Sequence, residues 1–176
     1  MSEYTEHWLG TYTGKKFHYL DPRLEEIDIV DIAHALSLTC RFGGHCREFY
    51  SVAEHSIRVA QEVLPELRLS ALLHDAHEAY LHDVPRPIKQ DIKGYKGLAD
   101  RIQFVIGNKF GLVRSPEIDR ADDILLMTEA RDLLINTDDW AERGVEPLSE
   151  KIYPWSAQDA EDSLIEYFVI YGGKDD

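Results

Sequence analysis

The sequence predicts an all-α domain carrying a small N-terminal β-hairpin. Three observations predict it. Apolar residues recur at helical spacing through most of the chain. Helix-start signals stand in front of the periodic segments, as in Ser51-Val52-Ala53-Glu54 and Ser115-Pro116-Glu117. Strand-favouring residues crowd together only near the beginning, where Thr11, Tyr12, Thr13, Phe17 and Tyr19 surround Gly14.

Taken in order, the first twenty residues read as a hairpin that Asp21-Pro22 breaks. From Asp28 to Leu38 the positions of Ile29, Ile32, Ala33 and Leu36 fit an amphipathic helix. Gly43-Gly44 marks a loop. Ser51 and Glu54 form a capping-box pattern opening a helix to about Val63. Pro65 begins the turn into a helix from about Leu67 to Leu81. Val84-Pro85-Arg86-Pro87 reads as a non-helical connector, because prolines two apart do not fit a helix interior. A helix from about Lys96 to Phe110 stops at Gly111. Ser115-Pro116 starts a long helix to about Ile135. Asn136–Arg143, with the acidic run Asp138–Glu142, reads as a solvated connection. A last helix spans about Ala157 to Tyr171, and Gly172–Asp176 reads as a frayed tail.

With 176 residues, the chain is expected to form a single domain over residues 1–176. Hydrophobic residues at 44% and charged residues at 30% describe a soluble globular protein. No apolar run reaches the ~18 residues of a membrane span. The polar, acidic N-terminus lacks a signal-peptide core, so a cytoplasmic location is expected. Cys40 and Cys46 are expected to be free thiols, and alone they lack the close spacing of a zinc site. A net charge of −14 argues against binding duplex nucleic acid through a broad basic face. It leaves room for a small phosphorylated substrate, since a bound cation and a few local basic groups reverse the potential within one pocket.

The segment ALLHDAHEAYL, residues 71–81, carries the chemistry. His74, Asp75 and Glu78 stand there in an apolar setting, where an unpaired charge is costly. His55 shares a helical stripe with Val52, Val59 and Val63, so its imidazole faces the core. Asp122 falls on the inward stripe of Ile118, Leu125 and Leu126. Singly, a core histidine is usually satisfied by a carbonyl, and a helical aspartate is usually solvated. Two imidazoles and two carboxylates converging from separate segments instead form a cage for one divalent ion: Mn, Co, Zn, Fe or Mg. A second His-Asp pair, His82-Asp83, sits less favourably at a helix end. Asp123 competes with Asp122, and the stripe selects Asp122.

The order AEH (His55), LLHDAHEAY (His74, Asp75) and RADDI (Asp122) resembles the HD-domain metal-dependent phosphohydrolases. CRFGGH before the first ligand and HDVPRPIK after the second are similar to the bacterial and phage 5′-deoxynucleotidase branch. The resemblance covers roughly residues 31–134. It implies an HD-type helical bundle with His55, His74, Asp75 and Asp122 as metal ligands and Glu78 as the catalytic carboxylate. It also implies Arg41 and Lys89 holding phosphate oxygens, Phe42 against the sugar or base, and Asp83 accepting from the sugar or fixing Lys89. Arg86 is expected as a further phosphate contact, and His77 is expected to line the substrate mouth. His45 and His77 are the extra histidines that could hold a second metal, although the two-metal patterns are not matched.

The reaction implied is release of phosphate from a (deoxy)nucleoside 5′-monophosphate, with a cation-activated hydroxide attacking phosphorus. A di- or triphosphate substrate is the alternative, and a non-catalytic nucleotide-binding module is the alternative from another class. The partner is then a small nucleotide, with no membrane and no duplex nucleic acid. A homodimer is allowed by spare apolar residues on the Lys96–Phe110 helix.

Overall fold

The computed structural model describes residues 7–137 and 144–175. Among these the architecture is all-α with one N-terminal hairpin, as the patterning predicts. Strands β1 (Leu9–Gly10) and β2 (Lys16–Phe17) pair antiparallel, Leu9 opposite Phe17. Gly14 takes φ 86° at the turn, a conformation that favours glycine. Residues 138–143, which include the acidic run Asp138–Glu142, lie outside the described residues, as do residues 1–6 and Asp176.

Helix α1 (Ile29–Leu38) is capped by Asp28, whose carboxylate accepts from Val30 N–H. Helix α2 (Val52–Gln61) is capped by Ser51, which accepts from Glu54 N–H. The reciprocal half of the expected capping box does not form. Glu54 is buried and instead accepts from Arg58 at 2.9 Å and from Trp155 N–H at 2.8 Å. A fully enclosed carboxylate is stabilised more by a cation than by one backbone N–H. Residues 39–41 run antiparallel to 50–52, with Arg41 N–H donating to Tyr50 and Val52 N–H to Thr39. This closes the Arg41–Gly44 turn against the start of α2.

The expected Leu67–Leu81 helix is broken. Helix α3 (Arg68–Leu72) ends where Leu73 takes φ −112° and ψ 19°, and α4 (Glu78–Leu81) begins five residues later. Between them the chain closes three-residue turns, Ala76 N–H to Leu73 and Glu78 N–H to Asp75. The Ala71 carbonyl interacts at 2.8 Å with His74 Nδ1, so a side chain competes for an acceptor that a continuous helix would use.

The Pro85-Arg86-Pro87 connector also differs. Arg86 opens helix α5 (Arg86–Asp91), with a proline in its first turn. First-turn residues have no intrahelical N–H partner to lose, so proline is tolerated there. Helix α6 (Tyr95–Phe110) ends at Gly111 with φ 68°. Helix α7 (Pro116–Leu133) starts at Ser115, which caps Glu117 N–H, and ends two residues short of the expected Ile135. Helix α8 (Ala157–Ile170) is capped by Ser156. The tail is not frayed as far as Asp175. That carboxylate accepts from Ile29 N–H at 3.0 Å and pairs with Lys109 at 2.8 Å, tying the C-terminus to the head of α1.

The core forms where α1 packs on α8 and α2 packs on α3, α7 and α8. Phe17, Ile32, Leu36, Ile57, Leu72, Leu125 and Leu164 are fully buried within it. Helix α2 is therefore enclosed on several sides, which carries His55 into the interior. No described helix is long and apolar enough to cross a membrane.

Candidate metal centre

Three segments bring the ionisable groups together: α2 with His55, the α3–α4 turn with His74 and Asp75, and α7 with Asp122. Ligand atoms of His55, His74 and Asp75 all lie within 4.8 Å of one another. Asp122 Oδ1 stands 3.2 Å from His55 Nε2, and Asp75 Oδ2 stands 3.2 Å from His74 Nε2. The donor atoms of Asp75, His77 and Glu78 form a second such group, sharing Asp75. This cluster could hold a metal ion.

The outer nitrogens decide how the imidazoles face. His55 Nδ1 lies 2.6 Å from the Glu129 carboxylate, and His74 Nδ1 lies 2.8 Å from the Ala71 carbonyl. Both partners only accept, so each Nδ1 carries the proton. In a neutral ring each Nε2 then presents its lone pair inward. Both Nε2 atoms are buried, and neither makes a hydrogen bond among the described residues. Lone pairs aimed at carboxylate oxygens need a positive charge between them, either protons or a metal ion. The residues present fit a divalent cation in both donor type and orientation.

The pKa shifts have the same origin. Burial alone would lower the pKa of His74, but Asp75 beside it pushes the value up to about 9. Burial and Arg41 oppose charge on His55, yet Glu129 and Asp122 outweigh them and raise its pKa. Burial works against ionisation of Asp75 and Asp122, and the histidines nevertheless hold both carboxyls below the usual range. Glu78 moves the opposite way. Burial, then Asp75 and Asp83, push it up to about 8 despite Lys89.

Two cavities meet at this cluster, and Asp75 and Asp122 line both. The smaller, about 330 Å³, is also lined by Arg41, Phe42, Glu78, Asp83, Arg86 and Lys89. Lys89 Nζ donates to Glu78 Oε1 at 2.5 Å and lies 3.8 Å from Asp83. Glu78 Oε2 is buried with no partner among the described residues. Arg86 is more than half exposed and reaches Asp122 at 3.8 Å and Asp123 at 3.9 Å. One residue lining this cavity, and one next to a lining residue, sit on unusual backbone. Phe42 has φ 56°, and His82, just before Asp83, has φ 63° and ψ 163°. Such conformations in non-glycine residues cost of order 1–3 kcal/mol and cluster at functional sites.

The larger cavity, about 580 Å³, is lined by His74 and His77 together with the α6 face of Gln103, Phe104 and Asn108. His77 thus lines the larger cavity, whereas Arg41 and Lys89 line the smaller one. Gln103 Oε1 accepts from His77 N–H at 3.1 Å. Burial lowers the His77 pKa and keeps the ring neutral. His45 and His82 are exposed and belong to neither group of candidate ligands among the described residues. Cys40 and Cys46 are free thiols.

Sequence reasoning missed Glu129. It is fully buried on α7, accepting from Arg41 Nε at 3.0 Å as well as facing His55. Burial disfavours its charge, but Arg41 and His55 keep it ionised. A signal existed: Glu129 lies seven residues beyond Asp122, two helical turns along the same face.

No family model matches the chain. The uncharacterized protein YfdR of Escherichia coli is 44% identical over 128 residues, which is 72% of this chain and 72% of that protein. An uncharacterized protein of Rhodobacter capsulatus is 39% identical over 115 residues, 60% of this chain and 59% of that protein. The chain belongs to the same family as YfdR.

Proposed function

We propose that this chain is an HD-type, metal-dependent phosphohydrolase releasing phosphate from (deoxy)nucleoside 5′-monophosphates. One observation carries the reading. Two buried imidazoles turn unpartnered Nε2 atoms toward Asp75 and Asp122, at the wall of a cavity that also holds three cationic side chains.

His55, His74, Asp75 and Asp122 would hold one divalent ion from the set Mn, Co, Zn, Fe and Mg. Such an ion neutralises phosphoryl oxygens and acidifies water. Arg41, Arg86 and Lys89 bind the phosphate oxygens from the side of the smaller cavity, and a guanidinium does so bidentately. Glu78 would orient the attacking water or manage its proton at Oε2, while Lys89 holds Oε1 in place. Asp83 fixes Lys89 from its other side and is placed to accept from a sugar hydroxyl. Phe42, Pro85 and Pro87 supply the apolar wall for the nucleoside.

A second reading has one observation in its favour. Arg86 lies more than half exposed at the smaller cavity and only 3.8 Å and 3.9 Å from its two carboxylates, so it could turn to the further phosphates of a di- or triphosphate. The test is direct. The protein is stripped with chelator, reloaded with each of the five ions, and assayed for release from mono-, di- and triphosphates of each base. Phosphate release from monophosphates supports the proposal, and release only from longer phosphates supports the second reading. A metal-loaded protein inert toward the whole panel would overturn both and leave a nucleotide-binding module.

A further inference from the structure

Glu129 holds two groups with different tasks. Oε1 faces His55 Nδ1 at 2.6 Å, and Oε2 accepts from Arg41 Nε and lies 3.0 Å from Nη2. His55 belongs to the cation cluster, whereas Arg41 lines the smaller cavity, and Glu129 is fully enclosed between them. An ordinary structural ion pair explains this poorly. Burying a carboxylate is costly, and a well-packed apolar substitute is often neutral or stabilising. A carboxylate joining an imidazole to a guanidinium does something an apolar group does not. It fixes the imidazole tautomer and the plane of the fork at once.

We infer that Glu129 is a positioning residue that sets cation affinity and phosphate affinity together, by holding His55 with one oxygen and Arg41 with the other. The inference rests on the metal-dependent reading above. Through Oε1 it keeps the proton on His55 Nδ1 and the lone pair of Nε2 turned inward. Through Oε2 it takes Nε and Nη2 of Arg41, so that Nη1 is the guanidinium nitrogen left outside the pairing. Helix α7 carries both Glu129 and Asp122, so one rigid element registers the cation cluster against the phosphate cavity.

Glutamine at this position has a single acceptor oxygen and cannot serve both partners. Its amide N–H would oppose either the Nδ1 proton of His55 or the Nε proton of Arg41. Glu129→Gln is therefore expected to weaken Mn²⁺ binding by about 10–100-fold, the scale for loss of a ligand's outer partner. It should also weaken inorganic phosphate binding to the Mn²⁺-saturated protein. Arg41→Lys should weaken phosphate binding while leaving Mn²⁺ affinity near the native value. Both affinities are read by titration calorimetry, with thermal melting to establish folding. Native Mn²⁺ and phosphate affinities in folded Glu129→Gln would overturn the inference.

A measurement on the native protein does not depend on that variant folding. In ¹⁵N-histidine-labelled protein, the His55 Nδ1 proton should resonate far downfield both metal-free and with Zn²⁺ bound. Its assignment comes from its loss in His55→Gln. Absence of that proton would likewise overturn the inference. Failure of the native protein to bind any divalent ion would instead overturn the metal-dependent reading itself.

Discussion

Asp75 is the donor shared by both groups of candidate ligands, so its replacement is the sharpest perturbation of the centre. A ligand bound only by the folded state stabilises by about 2.7 kcal/mol at a free concentration 100 times its Kd. For a domain of 150–250 residues each kcal/mol moves Tm by about 2–4 °C. At 176 residues, a saturating divalent ion should raise the melting temperature of chelator-stripped protein by about 5–11 °C. In Asp75→Ala the same ion concentration should produce almost no shift.

The pH dependence of this shift has a definite sign. His74 has its pKa raised from 6.5 to about 9 in the metal-free fold. Its protonation therefore contributes stability that is fully present below 6.5 and is lost as pH rises through about 9. A metal ion must displace that proton, so it competes poorly at low pH. The metal-induced shift should grow from pH 6 to pH 8. Scanning calorimetry at both pH values, with and without ion, is the assay. An equal shift in Asp75→Ala, or one that shrinks as pH rises, would refute the assignment of Asp75 and His74 as ligands.

The remaining outcomes concern the other site residues. Glu78→Gln should retain metal in a metal-content assay while turnover falls by about 10²–10⁴-fold, the scale for losing general acid–base help. Loss of the metal would make Glu78 a ligand instead. Asp122→Asn should lower metal occupancy and Asp123→Asn should not, since Asp122 is the one that lies 3.2 Å from His55 Nε2. Equal losses in the two variants would dissolve that distinction.

Local patterning made much of the chain legible. Ser51 and Ser115 marked helix starts because a side-chain oxygen answers N–H groups that have no intrahelical partner. The stripes around His55 and Asp122 foretold their inward faces, because helical periodicity encodes which side of a helix is apolar. His55 reaches the cluster through such a face, whereas His74 and Asp75 reach it from the turn between α3 and α4.

What the patterning did not contain was decided partly by local side-chain and backbone competition and partly by groups far apart in the chain. The helix expected across His74 breaks at Leu73, where the imidazole competes for the Ala71 carbonyl. Arg86 begins a helix where two prolines suggested none. Asp175 caps a helix 146 positions away, and Glu129 joins His55 to Arg41 across separations of 74 and 88. A single sequence states the period of each segment and the chemistry of each side chain. Which buried carboxylate meets which cation depends on how the helices pack, because only packing removes water and makes those pairings necessary.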